Sequence, residues 1–203
     1  AEVQGYTYDA LTRGVHLLST VLDEPNRADA LTSRANQIYK QFNRKFWLPG
    51  RSYYAAAPTG DGQRVDAYTS NVGQCLWYGI IDPGRTDTIV DQLLSDKLYS
   101  GWGIRSMSTA DDGYSPVSYH IGSVWPHDNS LIALGLARYG YDDRVEQLSK
   151  SILDAASNHT DNRIPEVFCG FSDQTKPIGY PESCEPQAWG AGTPYALVRA
   201  LSS

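Results

Sequence analysis

The feature that most constrains this chain is a regular alternation between two kinds of helix. Ala28, Leu31, Ala35, Ile38, Phe42 and Phe46 recur at steps of three and four, which puts one apolar face on an otherwise polar segment. Two more amphipathic segments carry the same signal, one with Ile89, Val90, Leu93 and Leu94 and one with Leu148 and Ile152. Between them lie segments of another character, at about residues 6–22, 71–80, 124–139 and 186–201, poor in charge and rich in Ala, Gly, Leu and aromatics. Ser130-Leu131-Ile132-Ala133-Leu134-Gly135-Leu136 is apolar nearly all round, so it predicts a helix buried on most sides. Buried and amphipathic helices thus alternate, with a period of roughly 55 to 60 residues per pair, as two concentric layers of helical hairpins require. The fold class is all-α, an α/α toroid in part, and residues 1–203 read as a single domain. A closed ring of six hairpins has about twelve helices, of which about seven are expected here.

Local signals punctuate the helices. Asp23-Glu24-Pro25 supplies an acidic cap candidate and a first-turn proline, Asp82-Pro83 does the same, and Asp143 with Glu146 reads as a capping box. Tyr53-Tyr54-Ala55 and Val65-Asp66-Ala67-Tyr68 flank Gly60-Asp61-Gly62, which predicts a short β-hairpin over 53–68 on the outside. The loops leading into the buried helices are long, and they hold Trp102, Tyr114, Tyr119, His120, Trp125 and the run Arg163 to Glu185. Long loops in a compact domain usually carry function.

Composition narrows the ligand. A formal charge of -6 and a pI near 5.1, with no lysine or arginine cluster, offer nothing to nucleic acid or anionic lipid. No stretch approaches the roughly 20 continuous apolar residues of a membrane helix, and no signal-peptide layout is seen. Cys75, Cys169 and Cys184 form neither a disulfide framework nor a C-x-x-C zinc site, which favours the cytoplasm, although Cys169 and Cys184 could pair if they meet. Five tryptophans and fourteen tyrosines against four phenylalanines favour rings with a polar tip. Such rings suit grooves where sugar C–H faces stack and hydroxyls find partners, or else they fill the core. The abrupt start at Ala1 reads as a fragment or a processed piece.

The densest constellation is Ser118-Tyr119-His120-Ile121-Gly122-Ser123-Val124-Trp125-Pro126-His127-Asp128-Asn129, where a loop enters a buried helix. Together with Glu2-Val3-Gln4-Gly5-Tyr6, Thr69-Ser70-Asn71-Val72-Gly73, Ser100-Gly101-Trp102-Gly103-Ile104-Arg105, Ile164-Pro165-Glu166-Val167-Phe168-Cys169-Gly170 and Cys184-Glu185-Pro186-Gln187-Ala188-Trp189, it resembles the bacterial amylo-α-1,6-glucosidase (glycogen debranching enzyme-like) family. The resemblance covers nearly the whole chain, as the C-terminal half of that domain. It implies a glucoamylase-like six-hairpin toroid that hydrolyses α-glucosidic linkages of glycogen- or oligosaccharide-like substrates with inversion. In that mechanism one carboxylic acid protonates the leaving oxygen and a carboxylate roughly 6.5 to 9.5 Å away activates water.

The resemblance places the general base at Glu166 and the general acid upstream of Ala1. Asp128 is the acidic alternative inside the chain, though it equally suits a sugar contact, a partner for His127 or a helix cap. Substrate contacts are expected from Glu2, Gln4, Tyr6, Trp102, Tyr119, His120, Trp125, His127 and Trp189, with the tryptophans either stacking on a sugar ring or plugging the toroid axis. Ile121 departs from the family's usual asparagine. His120, His127 and Asp128 lack the helical spacing of a metal site, so neither metal nor cofactor is expected. The partners expected are an α-glucoside and, for the open ends of a half ring, either a second copy or a complementary N-terminal half. A sugar-binding or scaffolding piece without hydrolysis is the competing reading. Terpenoid and lanthionine cyclases, which share the toroid, need an Asp-Asp-x-x-Asp run or a Cys/Cys/His zinc set, and neither is present.

Overall fold

A computed structural model describes residues 1–159 and 163–203. Among the described residues there are seven α-helices: α1 (Glu2–Thr20), α2 (Pro25–Lys45), α3 (Asn71–Tyr78), α4 (Thr86–Leu93), α5 (Pro126–Arg138), α6 (Asp142–Ser157) and α7 (Ala188–Leu201). α1 packs on α3, α3 on α5 and α5 on α7, forming the inner layer. Outside it, α2 lies on α1, α4 on α3, and α6 on both α5 and α7. This is the two-layer arrangement expected of a partial α/α toroid.

Side-chain size explains how closely the inner helices approach. A Cβ at Gly73 would come within 2.7 Å of the Ile132 side chain, and one at Gly135 within 2.7 Å of the Trp77 backbone nitrogen. Two glycines facing opposite ways therefore let α3 and α5 meet nearly backbone to backbone. The outer helices are held by stripes: in α2, Ala28, Ala35 and Phe42 are buried, Leu31, Ile38, Tyr39 and Asn43 are half-buried, and the remainder faces water. α5 buries residues on every side. The two terminal inner helices differ from expectation, because each is covered on one side only. Val3 and Leu17 on α1, and Tyr195, Val198 and Leu201 on α7, are exposed, as the open ends of a partial ring must be.

Boundaries and caps depart from the sequence reading in instructive ways. α1 begins at Glu2 rather than near residue 6, which brings Glu2 into its first turn. Pro25 occupies the first turn of α2 as expected, but Glu24 makes no side-chain cap bond. Asp82 accepts from the Gly84 amide and opens a short 3-10 turn, Pro83–Arg85, ahead of α4. The capping box at Asp143 does not form: the cap of α6 lies two residues earlier, at Tyr141, and the helix starts at Asp142.

The expected hairpin is rearranged. β1 (Trp47–Leu48) pairs antiparallel with β2 (Tyr53–Tyr54), so the tyrosines' partner lies upstream. The turn around Gly60–Gly62 does form, but it joins 56–59 to 63–65: the Thr59 amide donates to Gln63 and the Val65 amide to Ala57. Tyr53 and Tyr54 are fully buried and not on the outside. Tyr54 stacks on Phe42 at 4.9 Å, and the Tyr53 hydroxyl donates to the Thr69 carbonyl at 2.9 Å. Apolar bodies with satisfied polar tips make these rings core residues.

Isolated β-bridges stitch the loops at one end of the layer together: Arg105 to Val124, Val124 to Phe168, and Phe168 to Gly179. Val124 and Phe168 exchange both backbone bonds at 2.9 Å. A Cβ at Gly170 would sit 1.6 Å from the Gly122 carbonyl oxygen, so the two loops cross at a contact that admits glycine alone. The buried Arg105 secures the crossing, its Nε donating to the Gly170 carbonyl at 2.7 Å. All three cysteines are unpaired; Cys169 is buried and Cys184 exposed. No helix among the described residues is long and apolar enough to cross a membrane.

Candidate functional site

The inner helices present their first turns to one pocket of about 370 Å³. α1 supplies Glu2 and Tyr6, α3 supplies Asn71 and Gln74 with Ser70 at its cap, α5 supplies His127 and Asp128 with Trp125 at its cap, and α7 supplies Trp189. His120 and Ser106 close it from the loops. This convergence follows from the hairpin array: each outer helix returns the chain, so successive inner helices start at the same end. Glu2 and Tyr6 share a face because they are four residues apart; Gln4, two residues along, is turned away and does not reach the pocket.

The aromatic wall is fixed by hydrogen bonds. The Trp125 indole N–H donates to the Tyr119 carbonyl at 3.1 Å and to the Ser123 hydroxyl at 3.0 Å. The His120 ring lies parallel to Trp125, with centroids 6.0 Å apart, and Tyr119 stands edge-on to Trp125 at 4.8 Å. On the opposite side His127 packs on Trp189 at 4.6 Å. Burial holds the His127 imidazole below its ordinary value, so it is neutral at pH 7.

Asp128 is the buried carboxylate of the pocket and takes a bond from the Gln74 side-chain amide. Desolvation pushes its carboxyl up and the Glu2 charge adds to this, while hydrogen bonds from Ser70 and Gln74 act in the other direction. The next residue anchors the helix. Asn129, fully buried, accepts from the Ile104 amide at 2.7 Å and donates to the Ile104 and Trp125 carbonyls at 3.0 and 2.9 Å.

Glu166 lies off the lining of this pocket. Its carboxylate accepts from the Cys184 amide at 3.0 Å and from the Gln187 side chain at 3.5 Å. Burial first, and then the Glu166 carboxylate, push the Tyr119 phenol up to about 12. Gln187 caps α7, accepting from the Trp189 and Gly190 amides, so Glu166 is coupled to the helix start that carries Trp189. Trp102 lies elsewhere, its indole N–H tied to the Thr175 carbonyl at 2.9 Å.

The structure therefore gathers Glu2, Tyr6, His120, Trp125, His127, Asp128 and Trp189 around one pocket and leaves Gln4, Trp102, Tyr119 and Glu166 off its lining, Tyr119 packed on Trp125 and Glu166 bonded to the Gln187 cap of α7. Sequence reasoning missed Ser70, Asn71, Gln74 and Ser106 as wall residues. The string Thr69 to Gly73 marks a helix entrance, and entrances are where the pocket lies, but Gln74 one turn further reads as helix interior. Among the described residues no three His, Cys, Asp or Glu side chains form a group able to hold a metal.

A helical toroid with carboxylates and tryptophans gathered at the mouths of its inner helices is the build of a toroid glycoside hydrolase. The chain belongs to the family described as the mannosylglycerate hydrolase MGH1-like glycoside hydrolase domain, which matches residues 3–194. The motifs' likeness to amylo-α-1,6-glucosidases is corrected accordingly, and the two readings meet at the glycosidase toroid. A mannosylglycerate hydrolase from Rubrobacter radiotolerans is 27% identical over 168 residues, which are 81% of this chain and 36% of that protein. Among solved structures, the neutral trehalase Nth1 of Saccharomyces cerevisiae superposes with a TM-score of 0.75 at 14% identity, covering 97% of this chain and 37% of that one. The GH63 mannosylglycerate hydrolase of Thermus thermophilus, in complex with glucose, gives 0.72 at 16%, covering 98% and 46%. The chain thus spans about a third to a half of the length of these relatives.

Proposed function

We propose that this chain supplies the sugar pocket and the general base of an inverting glycoside hydrolase acting on an α-linked glycoside. The observation that carries the reading is the convergence of four inner-helix starts on one pocket that holds Asp128, Glu2 and two tryptophans, in a chain of a glycoside hydrolase family. Acceptor carboxylates and stacking rings are the two things a neutral sugar requires. Glu166 is the base: the Cys184 amide and the Gln187 side chain orient its carboxylate, and an anchored carboxylate can deliver a water to an anomeric carbon. Asp128, buried and braced by Gln74, is the contact for sugar hydroxyls, and the general acid comes from elsewhere in the ring.

A pocket of about 370 Å³ matches a single sugar with a small aglycone better than a glycogen branch. Mannosylglycerate, glucosylglycerate and trehalose are the substrates to test first, with maltooligosaccharides as the contrast. Three unpaired thiols suit a reducing compartment and support a cytoplasmic location as part of this proposal. The apolar faces of α1 and α7 are covered by further helical hairpins, from flanking sequence or a second copy.

The test is proton NMR of each glycoside incubated with the protein as its gene encodes it. Release of the β-anomer from an α-glycoside is expected. Retention of configuration, or no turnover of any of these glycosides, would refute the reading.

A further inference from the structure

One side chain joins three inner helices across the pocket wall. Gln74, buried on α3, accepts from the Tyr6 hydroxyl of α1 at 2.8 Å and donates from its amide nitrogen to Asp128 of α5. The polarity of this relay is dictated by its end. An ionised carboxylate can only accept, so the Gln74 NH2 must face Asp128. The Gln74 carbonyl then faces Tyr6, which must spend its one proton on it. What Tyr6 shows the pocket is an oxygen lone pair, and Asp128 shows carboxylate oxygen.

We infer that Gln74 is a positioning residue that sets the Tyr6 and Asp128 edge of this wall as acceptor-only, so that ligand is recognised there through hydroxyl protons that the ligand donates. The inference rests on the sugar reading above and sharpens it to a requirement on the ligand. A hydroxyl replaced by fluorine keeps a weak acceptor and loses its proton; one replaced by hydrogen loses both. An acceptor-only edge gains nothing from fluorine, whose partial negative charge it repels, so the fluoro analogue binds no better than the deoxy one, whereas a donating edge favours the fluorinated one. Tyr6 is partly exposed and Gln74 is enclosed, so the proton is ordered from the inside of the fold outward.

The experiment is isothermal titration of the protein with D-glucose and with its monodeoxy and monodeoxyfluoro analogues, in wild type, Gln74→Met and Tyr6→Phe. Methionine keeps the length of glutamine and removes both its bonds. In wild type, at the ring positions facing this edge, the deoxy analogue loses affinity on the order of 10- to 100-fold, as for hydrogen bonds to charged groups, and the fluoro analogue loses at least as much. In Gln74→Met, glucose weakens and the fluoro analogue gains on the deoxy one, because the Tyr6 proton is released to the pocket. In Tyr6→Phe that gain is absent. A second readout needs no sugar: carbon-13 titration of the Asp128 carboxyl moves up in Gln74→Met, since the lost bond favoured the charged form, while Ser70 and Glu2 still face it.

Fluoro analogues that bind like glucose in wild type overturn the inference. So does a Gln74→Met protein with the wild-type analogue pattern and an unmoved Asp128 titration, which would leave Gln74 as packing alone. Wild type that binds no glucose overturns the sugar reading and this inference together.

Discussion

Replacing Asn129 by alanine should be the most damaging single change at the pocket that touches no ligand. The side chain is fully buried and spends all its bonds on backbone: the Ile104 amide, the Ile104 carbonyl and the Trp125 carbonyl. Ile104 is itself fully buried, so water cannot replace the lost partner without opening the loop. At about 1–3 kcal/mol for each buried polar group left unpaired, the two Ile104 groups alone cost about 2–6 kcal/mol. The Trp125 carbonyl shares the α5 ladder through the Asn129 amide, bonded at 3.0 Å, so it adds less. Urea unfolding followed by far-UV circular dichroism gives the number, with Glu146→Ala, exposed on α6, as a control expected within about 0.5 kcal/mol of wild type. An Asn129→Ala protein within about 1 kcal/mol of wild type would refute the claim that this residue locks the loop to the helix.

Asp128→Asn should stabilise the fold at pH 7 while weakening sugar binding. Burial raises the folded-state carboxyl above its unfolded value, so wild type carries a cost when ionised that vanishes as pH falls through the raised folded value; thermal melts should show the variant's advantage shrinking on acidification. Glu166→Gln should lower kcat of the encoded enzyme by on the order of 10²–10⁴ and leave sugar affinity within a few-fold, checked by coupled kinetics and calorimetry; equal loss of both would make Glu166 a binding group. The chain without flanking sequence should self-associate through α1 and α7, where Val3, Tyr195 and Val198 are exposed. Light scattering showing a monodisperse monomer at micromolar concentration would count against covered end faces.

The layers were legible because burial of a helix is a property of its own periodicity. The stripe of α2 and the all-round apolarity of α5 are written within each segment, and each predicts its layer. What could not be read locally is whatever depends on a distant partner. Tyr53 and Tyr54 fit an outer hairpin until Phe42 and the Thr69 carbonyl are brought against them. Asp143 and Glu146 have the spacing of a capping box, yet α6 starts at Asp142. In the pocket, residues at helix entrances were found because entrances gather ionisable and aromatic groups in one string. Gln74 was missed because its partners lie 68 and 54 residues away on two other helices. Trp102 falls outside the pocket for the converse reason: it has a suitable residue type on a long loop, but its indole is bonded to the Thr175 carbonyl.

The central claim is that the inner-helix mouth is where a sugar binds. Two-dimensional nitrogen–proton NMR of the tryptophan indoles, recorded during titration with D-glucose and methyl α-D-mannopyranoside, tests it directly. The account predicts saturable shifts of the Trp125 and Trp189 indole signals, with Trp102 unmoved and the response abolished in Asp128→Ala. Saturable shifts confined to Trp102, or no shift of either pocket tryptophan up to the solubility limit of the sugars, would contradict it.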